Sequence, residues 1–145
     1  YPLHVILRYE LEKGLIEGSI KPEEIPEAWN AKMQESLGIL PPNDSKGCLQ
    51  DIHWAMGGLG YFPTYSLGNV FAAMIFKTFE KTHPDWEKQI ASGSFAFIKA
   101  FLNKNVYRYG KEFTSDALLE RITGSEISEK DYLSYLNQKY ANLYC

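Results

Sequence analysis

Apolar residues return every three or four positions along nearly all of this chain, and nowhere do they alternate. That spacing is the mark of a helix with one buried face, and it leaves no candidate for a half-buried strand. Leu3, Ile6, Leu7, Leu11, Leu15 and Ile16 mark the face of a first helix, which Gly18 is placed to stop. Pro22 and Pro26 each stand near the start of a short helical stretch, where a missing N–H costs little. The second stretch carries Trp29, Met33 and Leu37 at spacing four and ends at Gly38. Helical spacing resumes at Tyr65, runs through Val70, Met74 and Phe79, and stops before Pro84. After a short segment over 85–90, Ser94 is expected to cap a helix bearing Phe97, Ile98 and Phe101. Thr114 is expected to cap the next, closed by Gly124, and Ser128 the last, striped by Tyr132, Leu133, Leu136 and Tyr140. The pattern predicts an all-α fold in one helical domain over residues 1–145.

The period fails in one place. Residues 39–63 hold Pro41, Pro42, Gly47, Gly57, Gly58, Gly60 and Pro63, a long irregular stretch inside a helical chain. Long ordered loops more often carry function than not. The rest of the composition is that of an ordinary folded protein, apart from an aromatic fraction of 14% that points to a large buried surface or a ring-lined groove. Fifteen basic residues are scattered without a stripe and the net charge is -3, which argues against nucleic acid as a partner. No apolar run reaches the length of a membrane helix. Cys48 and Cys145 match no metal or redox spacing, so a reducing, cytoplasmic setting is the simpler expectation. The chain opens on Tyr1-Pro2-Leu3, already amphipathic, which fits a start inside a longer protein.

Within the loop, Gln50, Asp51, His53 and Trp54 precede a glycine-rich turn that leads to Tyr61 and Tyr65. Asp51 and His53 are two apart, so in extended chain both side chains leave on one side. A carboxylate beside an imidazole favours the charged ring and fixes its orientation. Tyr61 and Tyr65 are four apart at a helix entry, so their hydroxyls can share a side. Such a set suits acyl transfer, whose tetrahedral intermediate needs preorganised donors; losing one commonly costs roughly 3–4 kcal/mol of barrier. The structural alternative is a polar turn that braces neighbouring helices. The other histidines offer no metal site of their own: His4 and Arg8 share a helix face, His83 precedes Pro84 at a helix end, and no His-Glu-x-x-His run is present.

The run from Gly47 to Trp54 resembles the Gly-x-x-Gln-Asp-x-His-Trp signature of the M32 metallocarboxypeptidases. The continuation through Gly60-Tyr61-Phe62-Pro63-Thr64-Tyr65 and Leu67-Gly68-Asn69 is similar to the segment that follows it in that family. Tyr1 to Glu10 resembles the helix after its Ile-Arg-x-x-Ala-Asp motif, and Pro26, Trp29, Asn30 and the Pro41-Pro42-Asn43-Asp44 turn fit as well. Leu119 to Gly124, Tyr135-Leu136 and Lys139-Tyr140 extend the resemblance to nearly the whole chain.

The resemblance implies the C-terminal part of an elongated, zincin-like helical carboxypeptidase that removes single residues from peptide C-termini. It also implies a zinc or cobalt ion, a homodimer, and metal ligands on a segment upstream of this one. Tyr65 would then stabilise the oxyanion with Tyr61 as a second candidate, His53 would donate to substrate or intermediate, and Gln50, Asp51 and Trp54 would shape the site. The chain alone would bind no catalytic metal and be inactive. Val106-Tyr107-Arg108-Tyr109-Gly110 departs from the family where histidines are expected. As a fragment, the chain should expose an apolar patch around Trp54 and Phe62. The competing expectations are a self-standing helical interaction module, and a ligand-binding domain with Gly57–Tyr65 as its lid.

Overall fold

Pro2 lies in the first turn of α1 (Pro2–Glu17), where it has no N–H to lose, and Gly18 ends the helix in the left-handed region at φ 74°. The computed structural model describes residues 1–144 and contains no strand among them. The fold is all-α. Six further helices follow: α2 (Ile25–Leu37), α3 (Pro63–Thr82), α4 (Trp86–Ala91), α5 (Ala96–Asn105), α6 (Ser115–Thr123) and α7 (Lys130–Tyr144). They gather into two compact units, Tyr1–Leu67 and the residues from Gly68 onward, with α3 beginning in the first.

In the first unit α1 packs on α2, and Leu7, Leu11, Ile25, Trp29, Met33 and Cys48 close the core. Trp29 has no exposed surface, and its ring meets His4 and Trp54 edge-on at 5.6 and 5.9 Å. Cys48 is a free thiol in this core, and burial raises its pKa. Cys145 lies outside the described residues.

The buried face of α1 differs from the expected stripe. Leu7 and Leu11 are buried, but Leu3, Ile6 and Ile16 are exposed, and Arg8 and Glu12 are buried instead, at 1% and 3%. The loop after α2 presents polar groups to that face, so the helix turns its charged residues inward to meet them. Phe62 also departs from expectation. It is 3% exposed, its ring lying under the Arg8 guanidinium and against His53, while Trp54 is half-buried. The apolar side chains that the loop leaves in solvent are Leu49, Ile52, Met56 and Leu59.

In the second unit Met74, Phe79, Phe101 and Leu119 are buried, and Phe79 stacks on Phe97 and meets Phe101 edge-on. Thr114 caps α6 by accepting from the Ala117 N–H, as its spacing predicts, and Gly124 closes that helix at φ 74°. His83 ends α3 with its backbone N–H on the Phe79 carbonyl, its ring stacked on Phe79. Ser94 does not cap α5: Phe95 holds that position without a side-chain hydrogen bond, and the Ser94 N–H turns back to the Gln89 carbonyl beyond the end of α4. Among the described residues no helix is long and apolar enough to cross a membrane.

Candidate active site

The irregular stretch between α2 and α3 is built on two charged side chains of α1. Glu12 accepts the Trp54 indole N–H with Oε1 at 2.8 Å and the Gly60 backbone N–H with Oε2 at 3.0 Å. One turn earlier, Arg8 lies with its guanidinium over the rings of Trp29 and Phe62, 4.6 Å from each centroid. Its Nε–H donates to His4 Nε2 at 2.8 Å, and its NH1 forms an ion pair with Asp51 Oδ2 at 2.6 Å. That contact is an ion pair without hydrogen-bond geometry, and NH2 has no hydrogen-bond partner among the described residues. The helix therefore grips the loop before and after His53.

Asp51 is the bridge. While Oδ2 faces Arg8, Oδ1 accepts both the backbone N–H of His53 at 3.1 Å and its ring Nδ1–H at 3.0 Å. The two side chains do meet, as their spacing predicts, though through a turn rather than through extended chain. Burial disfavours the carboxylate, but the His53 hydrogen bonds and the Arg8 charge outweigh it and bring the Asp51 pKa below 3.8. An ionised carboxylate only accepts, so the His53 proton sits on Nδ1 and Nε2 faces the other way.

What Nε2 faces is the hydroxyl of Tyr65, at 3.1 Å, on the first turn of α3. Tyr61 stacks on the His53 ring at 5.6 Å and meets Tyr65 edge-on at 5.4 Å, while Phe62 closes the floor at 4.6 Å. Desolvation, then the phenols of Tyr61 and Tyr1, raise the Tyr65 pKa above 10.0, so its hydroxyl keeps its proton at neutral pH. The structure thus brings together His53, Tyr61, Tyr65, Asp51 and Trp54, whereas Gln50 is exposed at the loop surface. His4, Arg8 and Glu12 complete the cluster. The His4–Arg8 spacing was a legible sign of one of these contacts; no local pattern marks Glu12 as buried.

The arrangement has two proton states. With Nε2 bare, the Tyr65 O–H donates to the ring. With Nε2 protonated, the ring donates to the phenol oxygen, and the phenol's own proton is free for another acceptor. The Tyr65 hydroxyl beside Nε2 can therefore present either a lone pair or a donor to a bound molecule.

Among the described residues no group of three or more His, Cys, Asp or Glu is placed to hold a metal ion. The cavity of about 470 Å³ between α3 and α7 lies in the second unit, lined by Ala72, Phe76, Tyr132 and Tyr135 among others. Its Lys77 is paired with Glu80 along the same helix, and it holds none of the groups just described.

The family model described as Carboxypeptidase Taq (M32) metallopeptidase matches residues 1–140. The chain is 40% identical over 144 residues to Carboxypeptidase 1 of Bacillus subtilis, covering 99% of this chain and 29% of that protein. It is 41% identical over 144 residues to Thermostable carboxypeptidase 1 of Thermus thermophilus, covering 99% and 28%. Its structure superposes on the M32 carboxypeptidase of Deinococcus radiodurans R1 with a TM-score of 0.95 at 39% identity, over 99% of this chain and 29% of that one. The chain spans less than a third of the length of these relatives.

Proposed function

The chain belongs to the Carboxypeptidase Taq (M32) metallopeptidase family, and from that premise we propose that it forms the substrate and oxyanion side of a carboxypeptidase site. The observation that carries this reading is the line Asp51–His53–Tyr65, closed by contacts of 3.0 and 3.1 Å. When the scissile peptide carbonyl is attacked, its oxygen gains charge. The Tyr65 hydroxyl, freed by a doubly protonated His53, donates to that oxygen. Tyr61 packs against both rings and keeps them oriented, and Asp51 holds His53.

The whole protein releases single residues from peptide C-termini, and its metal, zinc or cobalt, is held by residues outside this chain. The metallopeptidase character of the family supports a metal in the whole protein. Family resemblance also supports a homodimer. The chain alone is then inactive, and release of C-terminal residues by the isolated, metal-saturated chain would overturn this.

The test of the site is Tyr65→Phe in the intact enzyme. A donor used only in the transition state should take turnover down by about 100-fold while leaving KM little changed. Unchanged kcat removes Tyr65 from the mechanism, and a purely raised KM makes it a substrate contact only.

A further inference from the structure

Arg8 belongs to no motif of the loop, comes forty-three positions before Asp51, and is 1% exposed. We propose that it is a positioning residue for His53: by holding the Asp51 carboxylate it keeps a proton on Nδ1 and leaves Nε2 as the nitrogen that exchanges its proton opposite Tyr65. This rests on the reading that His53 and Tyr65 act on the substrate.

The side chain of Asp51 is 31% exposed and could turn to water if nothing fixed it. Arg8 is the fixed point. Its Nε–H is held by His4, its plane lies over two rings, and its NH1 reaches Oδ2 at 2.6 Å. That contact leaves Oδ1 for the two His53 donors, and an acceptor at Nδ1 decides the tautomer. A lysine could not do the same, because one ammonium cannot stack on both rings while reaching both His4 and Asp51.

Among the described residues, Asp51 is the sole carboxylate on His53. Tyr61 and Tyr65 lie against the ring, Tyr1 lies against Tyr65, and His4 lies behind Arg8. Both oxygens of Glu12 are taken by Trp54 and Gly60.

The test uses the intact enzyme with ¹⁵N-labelled histidine, the His53 signals assigned by their loss in His53→Gln. In its neutral form the wild-type ring should show a protonated Nδ1 and a bare Nε2. Arg8→Lys and Asp51→Asn should each give a mixture of tautomers. Each should also lower kcat by about 10- to 100-fold with KM within about twofold, the scale known for hydrogen-bond partners of metal-bound histidines. Asp51 is partly exposed, so its variant gives this readout even where Arg8→Lys fails to fold.

A neutral wild-type ring protonated on Nε2 in place of Nδ1 would overturn the proposal, as would a folded Arg8→Lys enzyme with unchanged tautomer and kcat. If His53→Gln leaves turnover intact, the reading of the site fails. The tautomer measurement then still decides whether Arg8 sets the ring.

Discussion

Glu12 accepts the indole N–H of Trp54 at 2.8 Å across forty-two residues of chain, from a position with only 3% of its surface exposed. A buried carboxylate is tolerable only where donors replace its lost water, and Trp54 and Gly60 supply one for each oxygen. Glu12→Gln keeps one acceptor and turns an amide N–H toward one of the two donors. It should destabilise the fold by about 1–3 kcal/mol, the range for a buried donor left without its partner. Denaturant midpoints of wild type and variant measure this, and equal midpoints would mean that water already satisfies the pair.

His4 makes the first unit sensitive to acid. Its Nε2 accepts from Arg8, so the folded chain needs the ring neutral at that nitrogen. Burial first, and then the Arg8 charge, lower its pKa below 6.5, with Asp51 opposing in part. The unfolded chain therefore takes up a proton at a higher pH than the folded one. Stability from this group is full above pH 6.5 and is lost as pH falls from there through the lowered folded value. His4→Gln offers an uncharged acceptor in its place, so the variant's unfolding midpoint should change less between pH 7.5 and 5 than that of wild type. An identical pH dependence would assign the sensitivity to another group.

How much of this could be read in the sequence follows from the range of each interaction. Helices α1, α2 and α6 were legible because their stops are local: Gly18, Gly38 and Gly124 each take a left-handed φ of 69–74° just past the last turn. The meeting of His53 with Asp51, and of Tyr61 with Tyr65, was legible for the same reason, since two and four residues separate the partners. Arg8 and Glu12 were not. Hydropathy sends charged residues to solvent, so the spacing favoured Leu3, Ile6 and Ile16, which are exposed. A buried charge becomes visible only with its partner, and these partners stand more than forty residues away. Ser94 shows the converse, a good cap residue that stands one position before the cap, which Phe95 takes.

Trp29 links the core to the site, and its removal should be felt in both. It has no exposed surface, lies 4.6 Å beneath Arg8, and touches His4 and Trp54 edge-on. Trp29→Ala should cost about 3–5 kcal/mol, the range for emptying a large aromatic site. Its Nε1–H has no partner, so Trp29→Phe forfeits ring area but no hydrogen bond and should cost clearly less. Thermal or denaturant unfolding of the pair gives the comparison, and equal losses would show that ring size, not mere occupancy, is what Arg8 requires.

Two glycines separate strain near the site from strain elsewhere. A Cβ on Gly58 would lie 3.0 Å from the His53 carbonyl oxygen, which already accepts the Gly58 N–H at 2.7 Å. That oxygen is backbone and cannot swing aside, so Gly58→Ala must move the His53 main chain and with it the ring. Gly18 meets nothing within 4 Å, but its φ of 74° disfavours any side chain by about 1–2 kcal/mol. Both substitutions should lower stability, whereas only Gly58→Ala should lower kcat of the intact enzyme. Turnover measured where both variants remain fully folded isolates the effect. A Gly58→Ala enzyme with wild-type kcat would mean that the loop absorbs the shift before it reaches the imidazole.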